Sequence, residues 1–204
     1  MPGKEECSSA IAPSVCVQVR KERPDDAADV FRVVSAAFQQ AEEAELVGAL
    51  RRSGSLVLSL VAVCGAETRR EGCKTKEEYS GGHDTIVGHI AFSRCFVGDK
   101  PCVLLAPLAV APSHQKKGVG AALTKRGTAL LREQGEQVVL VLGHPKYYPR
   151  FGFDAQFTKA INASWPHSDA FMGLALDPSP EKAGVPVAGD LRIASAFDAL
   201  PDDH

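Results

Sequence analysis

The sequence predicts a mixed α/β domain, a sheet made largely of antiparallel hairpins, flanked by helices, with one right-handed strand–helix–strand crossover. Two observations predict it. The segments run in the order strand, two helices, several strands, long helix, strand, short helical turn and further strands. The composition of the 204 residues, 45% hydrophobic and 24% charged, is that of an ordinary soluble globular domain.

Val15 to Arg20 alternates apolar and polar residues and reads as a half-buried strand. Pro24-Asp25-Asp26 is a turn and helix-start signal, and Val30, Phe31, Val34, Ala37 and Phe38 follow at helical spacing to about Gln40. Glu42 to Arg52 forms a second helix with Leu46, Ala49 and Leu50 on one side, stopped by Ser53-Gly54. Leu56 to Val63 and Thr85 to Val97 are strands. Between them lies a charge-balanced, Gly-bounded insert at about 64–84, expected to be an exposed hairpin loop. Pro101 to Ala111 is an apolar strand interrupted by Pro107, which cannot donate to a ladder and predicts a bulge or a gap in the sheet. Val119 to Gln134 is the long helix, its face carrying Val119, Ala122, Leu123, Leu130 and Leu131, with Gly135 as its stop. Gln137 to Leu142 is a buried strand, Pro145 to Arg150 a short helical turn, and Phe151 to Phe153 a return to strand. Ala170 to Leu176 and Leu191 to Ala194 are weaker strand candidates, joined by a Pro/Gly-rich connection.

Residues 1–14 read as a flexible leader, 15–177 as the domain, and 178–204 as an extension that adds at most one strand. A net charge of −2 gives no general attraction to nucleic acid or acidic membranes. The start of the chain has no apolar stretch of signal-peptide type, and no apolar run approaches the roughly 20 residues that span a bilayer. The six cysteines include no C-x2-C pair and no His partner spacing, so no metal site is expected. Reduced thiols in a cytoplasmic protein are the expectation.

The chemistry concentrates in LAVAPSHQKKGVGAAL, Leu108 to Leu123. A buried strand ends at Val110, a short turn follows, and Gln115-Lys116-Lys117-Gly118-Val119-Gly120-Ala121 enters the long helix. The first N–H groups of such a helix lack intrahelical partners and, with the positive end of the dipole, suit phosphate oxygens. Gly118 and Gly120 would let an anion approach the backbone; equally, they would serve a tight turn. A dinucleotide fingerprint fits poorly because Leu123 stands at its third glycine, and a Walker loop lacks its Gly-Lys-Ser/Thr.

Gln115-x-x-Gly118-x-Gly120-Ala121 resembles the Q/R-x-x-G-x-G/A signature of the GNAT acetyltransferases. LVLGHPKYYPRFGF, Leu140 to Phe153, is similar to that superfamily's next motif. With EAELVGALRRSG and GHIAFS, these segments resemble the YhbS-type branch over about residues 17–177. The resemblance implies a GNAT fold: a mixed, mostly antiparallel sheet with two splayed central parallel strands, here Leu104 to Val110 and Gln137 to Leu142. It implies acetyl-CoA as cosubstrate, with pyrophosphate on the amides from Gln115 to Ala121. The pantetheine arm would run along Leu108, Ala109 and Val110, with Tyr147 and Tyr148 beside it.

The activity so implied is N-acetyl transfer to an amine, a small molecule or a polypeptide, by direct attack in a ternary complex. An acyl-CoA-binding regulatory or interaction module is the alternative, favoured by the lack of the Glu that many relatives carry on the strand Leu104 to Val110. The resemblance assigns Tyr148 as general acid and an oxyanion donor near Val110. For the base it leaves Glu43 or His89 open against a solvated helix charge and a satisfied strand histidine. His144 stands where relatives often carry Asp, His114 is expected to be exposed, and Trp165-Pro166 could line the acceptor site. No nucleic-acid or membrane partner is expected; a homodimer, common in the superfamily, stays open.

Overall fold

The structure is a computed structural model that describes residues 17–65, 85–165, 168–177 and 188–199. The leader, most of the 64–84 insert, Pro166 and most of the C-terminal connection lie outside the described residues.

Strand β1 (Gln18–Lys21) leads into a 3-10 turn at Pro24–Asp26 and then helices α1 (Ala27–Phe38) and α2 (Glu42–Arg52). Three strands follow, β2 (Leu56–Cys64), β3 (Thr85–Val97) and β4 (Lys100–Val110), then α3 (Val119–Glu133) and β5 (Val138–Leu142). Beyond two 3-10 turns, Tyr148–Phe151 and Ala155–Thr158, come β6 (Ile161–Asn162), β7 (Phe171–Ala175) and β8 (Gly189–Arg192). A turn at Ser195–Ala199 closes the described chain.

The sheet runs β1-β2-β3-β4-β5-β7, with β8 against the far end of β3 and against β6. Only β4–β5 and β6–β8 are parallel among these pairs. This is the mixed, mostly antiparallel sheet that the element order predicts.

Strand alternation sends side chains to opposite faces, and the two faces are covered by different helices. Leu60, Ala62, Ile90 and Phe92 pack with Val119, Leu123 and Leu131 of α3. Val61, Val63, Ile86 and Ala109 pack with Val30, Val34, Ala44 and Val47 of α1 and α2. A third cluster, holding Cys95, Cys102, Leu140, Ile161 and Phe171, fills the end where β8 closes on β3. Cys64, Cys95 and Cys102 form no disulfide.

Three sequence expectations change. Phe31 and Phe38 do not share the buried face of α1; they are 44% and 38% exposed, while Val30, Val33 and Val34 turn inward. Phe151 to Phe153 is not a strand. Pro149 lies in the first turn of the 3-10 segment Tyr148–Phe151, Gly152 ends it at φ +91°, and only Asp154 bridges to Gly173. The last strand begins at Gly189 rather than Leu191.

Candidate active site

The two parallel strands touch over a short stretch. Val103 pairs with Val139 and Leu104 with Leu140, and beyond that point β4 and β5 separate. Pro107 lies just past the last pair and has no N–H to give β5. On its other side β4 slips against β3: Phe92 faces Leu105 and Ile90 faces Leu108, so two residues of β4 oppose one of β3. The expected interruption is therefore a bulge and a gap together. A cleft of about 870 Å³ opens there and passes from the α3 face of the sheet to the α1–α2 face.

The backbone along the parted edge is available. Ala111 donates its N–H to the Val87 carbonyl of β3 at 2.9 Å, so by alternation Val110 presents its polar groups to the cleft. The Val110 carbonyl accepts from Gln115 Nε2 at 3.1 Å, which ties the following loop to the strand. Leu108 and Val110 line the cleft, whereas the Ala109 side chain is buried against α1.

The loop enters α3 through two left-handed residues, Lys116 at φ +59° and Gly118 at φ +88°. Gly118 is required by that conformation; a Cβ there would meet nothing within 4 Å. The N–H groups of Val119, Gly120 and Ala121 stand at the helix start, where no intrahelical acceptor exists. Lys116 lines the cleft, Lys117 is exposed outside it, and the Val119 side chain is part of the core. Gly120 lines the cleft, and the space above its Cα is occupied by the Tyr147 phenol, with a Cβ there falling 2.6 Å from the hydroxyl.

The facing wall is the turn after β5. Tyr148 is 7% exposed and makes edge contacts with Tyr147 and Phe153 at centroid separations of 5.0 and 5.5 Å. Gly143 lets its ring lie against the backbone, since a Cβ at that position would come 2.3 Å from Tyr148 Cε2. Burial pushes the Tyr148 phenol well above its ordinary value, so it stays protonated near neutrality. The Tyr147 hydroxyl is buried and has no hydrogen-bond partner. Arg150, which sequence reasoning missed, lines the cleft with its guanidinium 4.0 Å from the Tyr147 ring centroid and 4.9 Å from that of Phe151.

On the α1–α2 face the lining is Phe38, Glu43 and Leu46, with Phe197 arriving from the C-terminal turn. The Glu43 carboxylate is held by Gln40 Nε2 at 3.0 and 3.2 Å. No sequence signal pointed to Phe38 or Phe197, which reach the cleft only through tertiary packing. His144 also lines it.

His89 does not come to the cleft. It is fully buried on β3, with Nε2 2.8 Å from Ser59 Oγ and 3.6 Å from Glu22 Oε2. Arg51 and Ser59 both donate to the Glu22 carboxylate. Burial would raise the Glu22 carboxyl, but the nearby His89, the bond from Ser59 and the charge of Arg51 outweigh it and hold it at about 2. Desolvation pushes His89 the other way, below its ordinary value. It is a histidine of the core. His114 is half-buried rather than exposed, with Nδ1 2.9 Å from Ser113 Oγ. Trp165 packs edge-on against Phe171 at 5.3 Å and takes no part in the cleft wall.

Among the described residues no three metal-ligating side chains come together, and no helix is long and apolar enough to cross a membrane.

One wall thus offers unpaired amides and Lys116 suited to an anion, the other a neutral phenol beside Arg150, and the far face a carboxylate. Residues 65–153 match the profile of the acetyltransferase (GNAT) family. The chain is 40% identical over 133 residues to the uncharacterized N-acetyltransferase YjhQ of Escherichia coli, a stretch that covers 63% of this chain and 65% of YjhQ. It is 32% identical over 154 residues to the uncharacterized N-acetyltransferase YhbS of the same species, covering 74% of this chain and 82% of YhbS. The crystal structure of E. coli YhbS in complex with CoA superposes with a TM-score of 0.73 at 29% identity, over 92% of this chain and 94% of that one. A GNAT acetyltransferase from Brucella melitensis in complex with acetyl-CoA superposes at 0.66 with 33% identity, over 89% and 98%. The fold, the parted strands and these relatives agree: the chain belongs to the GNAT family of acetyltransferases.

Proposed function

We propose that this protein transfers the acetyl group of acetyl-CoA to an amine by direct attack. The observation that carries the proposal is the placement of a buried, protonated Tyr148 and the open start of α3 on the same cleft between β4 and β5. The amides of Val119 to Ala121, with Lys116, suit the pyrophosphate, and the Leu108–Val110 edge suits the amide-bearing pantetheine arm. Acetyl-CoA would supply the activated thioester carbonyl.

The chain's own groups divide the remaining work. Glu43 is the carboxylate on the cleft wall and takes a proton from the incoming ammonium, directly or through water. The Val110 N–H, turned to the parted edge, stabilises the oxyanion as the nitrogen–carbon bond forms. Tyr148 gives its proton to the departing thiolate as the carbon–sulfur bond breaks. Support for Glu43 over His89 is positional: His89 is fully buried in the Glu22 and Ser59 network, away from the cleft.

The test is calorimetry with acetyl-CoA, followed by incubation with amines and measurement of both free thiol and acetylated product. Equal amounts of the two support acetyl transfer. Tight binding with no product favours a CoA-binding module, and absence of binding overturns both.

A further inference from the structure

The cleft is electrically one-sided. On the α3 face it is lined by helix-start amides, Lys116 and Arg150. On the α1–α2 face the wall is apolar apart from Glu43, the one carboxylate that lines the cleft among the described residues. Four large hydrophobic side chains are exposed among those residues, and two of them, Phe38 at 38% and Leu142 at 41%, border this cleft. Apolar surface concentrated at the rim of a polar-anchored cleft marks a place where a ligand covers it.

That end is also bounded. The Ser195–Ala199 turn packs on α2, and Phe197 rests on the cluster around Ile161 and Phe171 while lining the cleft. The whole cleft, about 870 Å³, lies within the range that one drug-sized ligand fills, and the proposed cosubstrate's arm uses part of it.

Building on the acetyl-transfer reading, we infer that the acceptor is a small primary amine with an apolar, aromatic or branched body. Its ammonium is directed by Glu43 and its body is seated on Phe38, Leu46 and Phe197. A polycation would leave a second ammonium with no carboxylate on this wall. An amino sugar or an extended peptide would bury hydroxyls or backbone amides against side chains that offer no hydrogen bonds, which is unfavourable. In the transfer, the ammonium loses two protons as the nitrogen–carbon bond forms and the carbon–sulfur bond breaks. One proton balances the thiol of CoA and the other goes to solvent.

The experiment compares 2-phenylethylamine and isopentylamine with spermidine, glucosamine and a short peptide bearing a free N-terminus and one lysine. Thiol release and product mass are read for each, with acetyl-CoA affinity measured separately by calorimetry. The expected result is a kcat/KM for the two apolar amines at least about tenfold above the other three, as desolvated apolar pockets discriminate. Phe197→Ala is expected to raise KM for 2-phenylethylamine about tenfold while kcat and acetyl-CoA affinity hold. Should that variant fail to fold, Phe38→Ser on the exposed rim replaces it, with the same expectation. Preference for spermidine, glucosamine or the peptide overturns the acceptor class and leaves acetyl transfer standing. Acetyl-CoA binding with no amine acetylated overturns both the transfer and the acceptor class; no acetyl-CoA binding removes the whole reading.

Discussion

The Tyr147 hydroxyl fills the place where a Cβ on Gly120 would project: that carbon would lie 2.6 Å from the phenol oxygen but 3.7 Å from Cζ of the same ring. The absent side chain thus serves an internal contact at the helix start. Gly120→Ala is expected to push Tyr147 aside, carrying Arg150 with it, and to weaken acetyl-CoA binding by about tenfold, roughly the 1.4 kcal/mol of one displaced contact. Adding Tyr147→Phe removes the clashing oxygen, so the double variant should recover most of that loss. Calorimetry on the two single variants and the double variant decides it. Strictly additive losses would show that the two residues act separately.

Tyr148 is held by its neighbours as a neutral phenol facing the cleft. Tyr148→Phe keeps the ring against Gly143 and Phe153 and removes only the hydroxyl that carries the proton. Turnover is expected to fall about 100-fold, the scale of a general acid, with unchanged acetyl-CoA affinity. Gly143→Ala should produce a similar fall in kcat with the hydroxyl still present, because its Cβ would drive the ring from its seat. Normal turnover in Tyr148→Phe, with chemistry limiting the rate, would remove the residue from the mechanism.

His89 makes the fold sensitive to acid. Ser59 donates to Glu22, so His89 Nε2–H donates to Ser59, and Nδ1 remains buried with no partner. Protonation would place a charge and an unpaired donor in the core. Its folded pKa therefore lies below the ordinary 6.5, and the unfolded chain binds more protons as the pH falls beneath that value. Stability should decline below about pH 6.5 with a slope of at most about 1.4 kcal/mol per pH unit from this group. Glu22, held at about 2, adds a second decline as the pH drops from 4.5 toward 2, where its bonds are lost. His114 titrates in the same direction as His89, so the comparison needs a variant. Urea midpoints for His89→Gln should be flatter than the parent between pH 6.5 and 5; identical slopes would assign the acid sensitivity elsewhere.

Gly127 brings α3 against the sheet at Phe92, and a Cβ there would lie 2.5 Å from two carbons of that fully buried ring. Overpacking of about 1–3 kcal/mol should exceed the helix-propensity gain of about 1 kcal/mol for Gly127→Ala. Gly48→Ala on α2 is the control. Its new carbon meets only the far end of the Arg52 side chain at 3.2 Å, so propensity should prevail. Denaturant midpoints are expected to move in opposite directions. A stable Gly127→Ala protein would mean that Phe92 has room to move.

What could be read from the chain depended on distance along it. The bounds of α2 match the expectation from Leu46, Leu50 and Ser53-Gly54, because its apolar spacing and its stop are local. The helix-start turn was legible for the same reason, and Pro107 foretold the break in pairing because a missing donor is a property of one residue. Phe31 and Phe38 misled, since spacing identifies a stripe without saying that Val30, Val33 and Val34 would fill the inward side. Nothing local shows that Glu22 reaches His89, or that Phe197 reaches a cleft near Phe38. The two-residue strand β6 carries too little pattern to be seen at all.

The divergence of β4 from β5 after Leu104 and Leu140 leaves β5 and β7 paired to β4 along only a short seam. An occupant lying in that opening would act as mortar, lending rungs that neither strand can supply. Amide protons of β5 from Val141 onward should then exchange markedly more slowly when acetyl-CoA is present than when it is absent, so the ligand would help to complete the architecture that receives it.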